Sequence, residues 1–301
     1  MAEKTALVIE GGAMRGIFSA GIMDQFIEEG FNPFNIVIGV SAGSINAAAY
    51  LADHKGRNFK VYTKYSLHPN YISLNNFLKG KHFIDLDWLW KVTEKDLPIN
   101  TDRLFEKNID FEVGFTRNDN GEAFFLNPNA ENLSHYLKAS CTIPLFYRRF
   151  LEINGLTVSD GGVAAPIPVE RAYEKGATRI MVLRSRPKSY RMHNGFEFKI
   201  ANLIFTKHKG LLKAIKNRYQ VYNKSIDFIQ NPPKGVEIIE ICPPEDFKTS
   251  RFTQDYQTLF NDYNTGKEMG KIAIQKLIES NKAHKKSLPN GRLFSIFLKA
   301  D

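Results

Sequence analysis

Short apolar runs that end at glycine-rich turns and lead into amphipathic segments form the main pattern in the first part of the chain. Residues 6–9 and 35–39 are apolar runs of strand length, and apolar positions at helical spacing follow them over 15–30 and 43–53. Alternation of strand and helix is typical of a sheet of mostly parallel strands. The pattern therefore predicts an α/β fold with a mostly parallel central sheet and helices on both faces.

The same alternation continues, less regularly, through the rest of the chain. Asn120-Gly121, a dipeptide typical of a two-residue hairpin turn, separates two segments rich in aromatic and β-branched residues. Residues 54–110 have no clear period, and the tail 283–301 is compatible with either a strand or a docked segment. The remaining predicted strands cover 111–117, 122–126, 151–158, 178–184 and 236–241, and the remaining helices cover 130–140, 166–175 and 253–282.

A serine stands at the turn between the second apolar run and its helix, in Gly39-Val40-Ser41-Ala42-Gly43. Gly-x-Ser-x-Gly between a strand and a helix is typical of a nucleophile elbow, which lifts the serine hydroxyl clear of the sheet. We expect the flanking glycines to give this turn its backbone freedom and to leave room that a β-carbon would fill. The amino-terminal end of the following helix favours negative charge near Ser41.

Glu10-Gly11-Gly12-Ala13-Met14-Arg15-Gly16 is a second glycine-rich turn between a strand and a helix, and such turns offer backbone N–H groups to an anion. A nucleotide phosphate and the oxyanion of an acyl transfer are the two candidate ligands, and a turn without a ligand is the third reading. A Walker loop requires Gly-Lys-Ser/Thr, which is absent from this turn, and a dinucleotide fingerprint requires glycine where Ala13 stands. The turn is therefore better suited to serve Ser41.

The serine needs a base, and Asp160 is the best-placed candidate. It ends an apolar stretch and precedes Gly161 and Gly162, so it lies at a strand end, where catalytic groups of α/β sheets collect. An aspartate that only completes a turn is the alternative. None of the histidines has such a context; they are His54, His68, His82, His135, His193, His208 and His284.

These motifs resemble, in order, three signature blocks of the bacterial patatin-like phospholipases: Glu10–Gly16, Gly39–Gly43 and Asp160–Gly162. A fourth segment, Ala139–Pro144, resembles the Ala-Ser-x-x-x-Pro block of that family. The resemblance spans about residues 5–168. It implies a patatin-like three-layer sandwich.

The resemblance also implies a mechanism: a Ser-Asp dyad with Ser41 as nucleophile and Asp160 as general base, without histidine, metal or organic cofactor. The implied activity is carboxylic ester hydrolysis of the phospholipase A or lysophospholipase type. Ala13 departs from the family's third glycine, and at a positive φ an alanine is strained by roughly 1 kcal/mol. The implied oxyanion-hole residues are Gly11, Gly12, Ala13, Arg15 and Gly16, and the supporting residues are Gly39, Gly43, Gly161 and Gly162.

The amino-acid composition also indicates the cellular compartment of the protein. Hydrophobic residues make up 43% of the chain and charged residues 24%, which is ordinary for a globular protein. Two cysteines, Cys141 and Cys242, are too few for a disulfide scaffold and favour a reducing compartment. No stretch reaches the ~18 apolar residues of a membrane span, and the amino terminus lacks the apolar core of a signal peptide. These observations predict a cytoplasmic enzyme, with peripheral contact at the inner face of the membrane.

Positive charge is concentrated in residues 184–224, a basic, lid-like helical segment that precedes a strand and long helix over 235–283. This segment holds eleven Lys and Arg against Glu197 alone, a net charge of +10, whereas the whole chain of 301 residues carries +9. Together with its interleaved aromatic and aliphatic residues, this charge favours docking on an anionic membrane. An ordinary solvated helical face is the main alternative, and nucleic acid is disfavoured by the catalytic motifs. We treat 1–301 as a single domain.

Two other functions match parts of the sequence. An α/β-hydrolase triad of Ser41, Asp160 and either His193 or His208 has the right chain order. A binding protein that keeps the fold but has lost the chemistry is supported only by Ala13. Because a carboxylate is a weaker base than an imidazole, a dyad favours esters over amides. The sequence therefore predicts a serine acyl hydrolase acting on acyl lipids.

Overall fold

The computed structural model describes residues 3–287, apart from 194 and 196. Its strands are β1 (Thr5–Ile9), β2 (Ile36–Val40), β3 (Asp110–Arg117), β4 (Ala123–Leu126), β5 (Leu151–Ile153), β6 (Leu156–Asp160), β7 (Arg179–Leu183) and β8 (Glu237–Ile241). Its α-helices are α1 (Ile17–Glu28), α2 (Ala42–Leu51), α3 (Arg57–Lys60), α4 (Leu74–Leu78), α5 (Leu86–Asp96), α6 (Thr101–Glu106), α7 (Leu133–Ser140), α8 (Val169–Glu174), α9 (Glu197–Ile204), α10 (Lys209–Gln230) and α11 (Tyr256–Ser287). A 3₁₀ turn, Ala13–Gly16, precedes α1, and a π-helical turn, Val61–Tyr65, follows α3. In the part of the chain described, each helix is too short or too polar to cross a bilayer.

The strands form one sheet in the order β5-β6-β3-β2-β1-β7-β8, and β4 pairs with β3 outside this path. The strands β3, β2, β1, β7 and β8 lie side by side in that order and run parallel to one another. The pairs β3–β4, β3–β6 and β5–β6 are antiparallel. The sheet is therefore mostly parallel, as predicted, with its antiparallel strands on one side, and β3–β4 is the hairpin predicted around Asn120-Gly121.

Alternate residues of the central strands face two different helical layers. Leu7 and Ile9 of β1 belong to a core cluster that includes side chains of α1, α2, α7 and α11. Ala6 and Val8, on the other face, pack with side chains of α8 and α10. All four are fully buried, which explains why the strand is a continuous apolar run rather than an alternating one. The result is the three-layer arrangement with helices on both faces.

Residues 54–110, which have no clear hydrophobic period, form the short helices α3 to α6 and their connections. Side-chain caps begin α4, α5 and α6: at α5 the Asp85 carboxylate accepts a hydrogen bond from the Trp88 N–H over 2.9 Å. Their apolar side chains form a third core cluster with residues of α1, including Tyr62, Leu89 and Ile17. This cluster borders the cavity behind Ser41, which is described below.

The stretch predicted as one strand, 151–158, is instead a hairpin. β5 and β6 pair around Asn154 and Gly155, whose φ angles of 51° and 75° suit a two-residue turn. β6 then runs antiparallel to β3, and Asp160 pairs with Phe115 of β3. The preceding residue of β3, Gly114, pairs with Val40 at the end of β2. Antiparallel register, rather than the carboxyl edge of a parallel sheet, therefore brings Asp160 beside Ser41. At the carboxyl end of the chain, the segment 293–298 lies outside the described residues.

Candidate active site

Ser41 occupies the turn between β2 and α2 and carries the unusual backbone conformation of that turn. Its φ and ψ are 53° and −132°, a region that is costly for any residue with a β-carbon. Its N–H donates to Oγ of Ser140 over 2.8 Å, and its carbonyl accepts from the N–H of Ser44 over 2.9 Å and from Oγ of Ser44 over 2.7 Å. These three hydrogen bonds hold the strained turn in place.

Gly39 and Gly43 flank the elbow, but neither has a positive φ. A β-carbon added to Gly43 would lie 2.5 Å from the carbonyl oxygen of Ile9, and one added to Gly39 would lie 2.6 Å from Cα of Ser44. The glycines are therefore needed because α2 approaches β1 and β2 closely. The expectation that they supply the unusual backbone angles is wrong, since Ser41 itself takes them.

Asp160, at the end of β6, is the direct partner of Ser41. Its Oδ2 accepts a hydrogen bond from Ser41 Oγ over 2.6 Å, and its Oδ1 accepts one from the Gly162 N–H over 2.7 Å. The side chain is almost fully buried. Burial raises the pKa of Asp160, while the hydrogen bonds from Ser41 and Gly162 and the charges of Arg218 and Arg251 act in the opposite direction. A carboxylate with a raised pKa is a better proton acceptor near neutral pH.

Ser140 connects the two halves of this site, and the sequence had marked its segment without giving it a role. Besides accepting from the Ser41 N–H, its Oγ donates to the carbonyl of Gly114 in β3 over 2.7 Å. Its own carbonyl accepts from the Gly161 N–H over 3.3 Å, beside Asp160. Ser140 therefore holds Ser41 and Asp160 in place relative to each other.

The glycine-rich turn after β1 lies against Ser41. Gly11, Gly12 and Ala13 line the same pocket as Ser41, and Gly16 ends the 3₁₀ turn. Ala13 has a φ of 49°, the conformation that costs an alanine roughly 1 kcal/mol. Within the described residues, the N–H groups of Gly12 and Ala13 have no hydrogen-bond partner. They can therefore donate to a negative charge that develops beside Ser41.

A buried ion-pair network anchors the start of this turn. The Glu10 carboxylate accepts hydrogen bonds from Nε of Arg184 over 3.1 Å, from the Ser185 N–H over 2.7 Å and from the Tyr222 hydroxyl over 3.2 Å. Arg184 also pairs with Glu240. Its side chain has no solvent exposure, so Arg184 does not belong to a surface-charge segment as the sequence suggested. Two carboxylates compensate its charge in the interior.

Two cavities meet at Ser41. The first, which we call the charged pocket, is lined by both Ser41 and Asp160. The second, which we call the apolar cavity, extends behind Ser41 and shares Ala13, Ser41 and Ile143 with the first. The charged pocket is lined by Arg15, Arg186, Arg218 and Arg251, and the apolar cavity by Ile45, Val61, Leu86, Leu89 and Trp90.

The two tryptophans, Trp88 and Trp90, are half-buried and pack against the core clusters of this region. Trp90 lines the apolar cavity, and its Nε1–H donates to the Ser134 carbonyl over 3.1 Å. Trp88 stacks on His68, with ring centroids 4.6 Å apart. The Trp90 side chain therefore packs against the core and also forms part of a cavity wall.

Among the residues described, no histidine lines either cavity. His193 is exposed, and His208 packs edge-on against Phe150 with ring centroids 4.7 Å apart. The alternative of a Ser-His-Asp triad therefore lacks its histidine, and Ser41 is hydrogen-bonded to Asp160 directly. Nor do three or more His, Cys, Asp or Glu side chains in the described ranges come together as a metal site would require.

The sequence model of the patatin-like phospholipases matches residues 7–173, which is more than half of the chain. The chain belongs to the patatin-like phospholipase family. Membership of this family indicates a hydrolase of lipid esters. The matched residues include Ser41, Asp160 and the glycine-rich turn, but they end before Arg186, Arg218 and Arg251 of the charged pocket.

Other comparisons extend over the rest of this patatin-like chain. A model for a domain of unknown function (DUF6363) matches residues 208–282. The uncharacterised protein YjjU of Escherichia coli K12 is 32% identical over 275 residues, which cover 90% of this chain and 77% of YjjU. Among solved structures, VipD of Legionella pneumophila aligns over 91% of this chain and 67% of its own, with 13% identity and a TM-score of 0.47.

Proposed function

We propose that the chain is a serine acyl hydrolase that cleaves fatty-acyl esters of lipids through an acyl-enzyme on Ser41, with activity of the phospholipase A or lysophospholipase type. The observation that carries this proposal is the 2.6 Å hydrogen bond from Ser41 Oγ to Asp160 Oδ2, at the point where a charged pocket meets an apolar cavity. A lipid ester has the same division, since its carbonyl joins a polar head to an apolar chain.

The proposed reaction has two halves. Asp160 accepts the hydroxyl proton as Ser41 Oγ attacks the ester carbonyl carbon, and the N–H groups of Gly12 and Ala13 donate to the resulting oxyanion. The C–O bond to the alcohol breaks, and the alcohol leaves with the proton from Asp160. Water then attacks the acyl-enzyme, gives its proton to Asp160, and the fatty acid is released as the proton returns to Ser41.

The apolar cavity is the proposed site of the acyl chain. Its lining is formed by side chains of α2, the π-helical turn and α5, and it begins at Ser41. A further cavity shares Ile45, Val61, Leu89 and Trp90 with it, so the two spaces adjoin along these side chains. This apolar lining suits the hydrocarbon chain of a lipid ester.

Hydrolysis by matched variants tests this function. We expect the purified protein to release free fatty acid from a lysophospholipid, and alcohol from a soluble nitrophenyl ester, with no added metal. His208→Ala and His193→Ala should retain a rate near that of the wild type, because neither side chain lines the cavities. Loss of activity in a folded His208→Ala variant would support a triad, and an equal rate in Ser41→Ala would refute catalysis by this serine.

We further propose that the rim of the site contacts an anionic bilayer. Leu203 and Ile204 of α9 are 80% and 59% exposed, and Leu74 and Leu78 of α4 are 63% and 77% exposed. Both helices adjoin the loop that follows Pro144. The Phe205 ring lies 5.8 Å from that of Phe150, and the Arg148 guanidinium lies 4.6 Å from the centre of the Phe77 ring. The exposed lysines Lys199, Lys207, Lys209, Lys213 and Lys216 lie on α9, on α10 and between them.

Charge reversal tests this contact. Each basic residue near an anionic surface contributes about 1 kcal/mol, so changing Lys207, Lys209, Lys213 and Lys216 to Glu should weaken binding to phosphatidylglycerol vesicles by about 100-fold or more. The matched control reverses four other exposed lysines, Lys4, Lys234, Lys276 and Lys282. Sedimentation with vesicles measures binding, and hydrolysis of a soluble ester checks folding. Equal binding by the two quadruple variants would exclude docking through this segment.

A further inference from the structure

Four arginines line the charged pocket together with Ser41, and three of them lie outside the residues that match the patatin-like family. Arg186 follows β7, Arg218 lies on α10, and Arg251 lies shortly before α11. Arg218 and Arg251 both fall within residues 208–282, the part that matches a domain of unknown function. The carboxyl-terminal part of the chain therefore builds one wall of the pocket over the dyad.

Two of these arginines have hydrogen-bonding capacity that the described residues do not use. Arg15 is only 5% exposed, and its Nε has no hydrogen-bond partner within the described part of the chain. The buried Nε of Arg186 also lacks a partner there, while the Arg186 guanidinium lies 4.3 Å from the centre of the Tyr190 ring. A buried donor without a partner is costly, so both groups indicate a ligand that accepts hydrogen bonds.

The charges around Arg15 point to an anion. Burial first, and then the nearby charge of Arg186, lowers the pKa of Arg15 to about 9, so it remains a cation at neutral pH. Arg218 and Arg251 add to this repulsion. Glu10 opposes it, but its carboxylate already accepts hydrogen bonds from Arg184 and Tyr222. A bound anion would relieve the repulsion among the arginines.

Phosphate is the anion that this arrangement suits best. A guanidinium donates two parallel hydrogen bonds to phosphate oxygens. A phosphomonoester carries about −1.5 to −2 at neutral pH and can therefore accept from more than one arginine. A zwitterionic head group would instead place an ammonium group among four guanidinium groups. The chemistry of the pocket thus favours a terminal phosphate over a phosphocholine or phosphoethanolamine.

We propose that these arginines bind a phosphate of the substrate next to the scissile ester, and that the carboxyl-terminal part of the chain thereby selects acylglycerol phosphates over neutral acylglycerols. This inference rests on the proposed function, since it names the lipid class that Ser41 cleaves. The acyl chain lies in the apolar cavity, the ester carbonyl at Ser41, and the phosphate between Arg15 and Arg186. Arg186 is the specificity residue that can be changed without altering the catalytic motifs.

The test compares an acylglycerol phosphate with the acylglycerol of the same medium-length chain, both below their micelle concentrations so that membrane binding plays no part. For the wild type we expect kcat/KM to be at least about tenfold higher for the phosphate ester, because hydrogen bonds between charged groups are strong. In Arg186→Gln this ratio should fall about tenfold, mainly through KM for the phosphate ester. Arg186→Lys should recover part of the ratio, because it keeps the charge.

Arg191→Gln is the matched control, because Arg191 binds Asp227 and Gln230 outside the pocket; it should leave the ratio unchanged. The inference is overturned if the wild type shows no preference, or if Arg186→Gln lowers both rates equally. Inorganic phosphate that binds as tightly as the acylglycerol phosphate would make this a free-phosphate site and would also overturn it. If neither ester is hydrolysed in a Ser41-dependent way, the proposed function itself fails.

Discussion

Ser41→Ala should lower the rate of ester hydrolysis by about 10⁴-fold, and adding Asp160→Asn should lower it little further. The reason is that, in the proposed mechanism, the two side chains act as one unit: the hydroxyl that attacks is the one that donates to the Asp160 carboxylate over 2.6 Å. Asparagine keeps the shape of the aspartate but cannot accept the proton. We would measure kcat/KM on a soluble ester for both single variants and the double variant. A double-variant loss equal to the product of the single losses would contradict a dyad.

In the Asp160→Asn variant we expect activity and stability to change in opposite directions: the variant should lose activity but gain stability at neutral pH. Burial raises the pKa of Asp160, so the folded state binds a proton there more tightly than the unfolded state does. The wild type therefore loses stability as pH rises from the ordinary pKa of an aspartate through the raised one. Asparagine does not titrate, so the variant should melt at a higher temperature than the wild type at neutral pH, and this difference should shrink in acid. A neutral-pH melting temperature below that of the wild type would contradict this account of the buried carboxylate.

Ala13→Val should lower the rate by about 10²- to 10³-fold, the cost of losing one oxyanion donor. Ala13 has a φ of 49°, and a β-branched side chain is strongly disfavoured there. Valine would move the N–H groups of Gly12 and Ala13 away from the oxyanion or crowd the carbonyl. Ala13→Gly should keep or raise the rate, because it relieves only the strain.

The control for added bulk is Ala123→Val, which places the same side chain at the start of β4, where extended backbone suits valine. Rates on a soluble ester, with melting temperatures to check folding, would decide the outcome. Full activity in Ala13→Val would mean that this turn is not an oxyanion hole.

Regular hydrophobic patterns predicted the part of the fold that carries Ser41. β1 and β2 are continuous apolar runs because both of their faces are buried, and the Asn120-Gly121 turn predicted the β3–β4 hairpin. The β5–β6 hairpin was missed although its turn, Asn154-Gly155, is the same dipeptide, because the apolar residues on either side were taken as one strand. Most of residues 54–110 could not be assigned, since α3, α4 and α6 have only four, five and six residues and leave too few positions for a period to emerge.

The candidate site also has one part that the sequence predicted and one part that it did not. Ser41, Asp160 and the glycine-rich turn stand at motif positions, so their local sequence predicts them. Arg186, Arg218 and Arg251 have no motif, and folding alone brings them to Ser41 across more than a hundred residues of chain. In the sequence the first two counted only as basic charge in a helical segment. Arg184 was counted in the same way, although it is buried against Glu10 and Glu240. Net charge cannot distinguish a surface cation from one that lines a pocket or pairs in the core.

Reaction with a fluorophosphonate, followed by mass spectrometry of the labelled peptide, tests the central claim most directly, because it reports which hydroxyl is activated. Ser44 and Ser140 are built-in controls, since both hydroxyls are buried near Ser41 and donate to backbone carbonyls over 2.7 Å. We expect one adduct, on Ser41, that is absent in Ser41→Ala, forms far more slowly in Asp160→Asn and is suppressed by excess acylglycerol phosphate. A stable adduct on Ser44 or Ser140, with Ser41 unmodified, would contradict the assignment of Ser41 as the nucleophile.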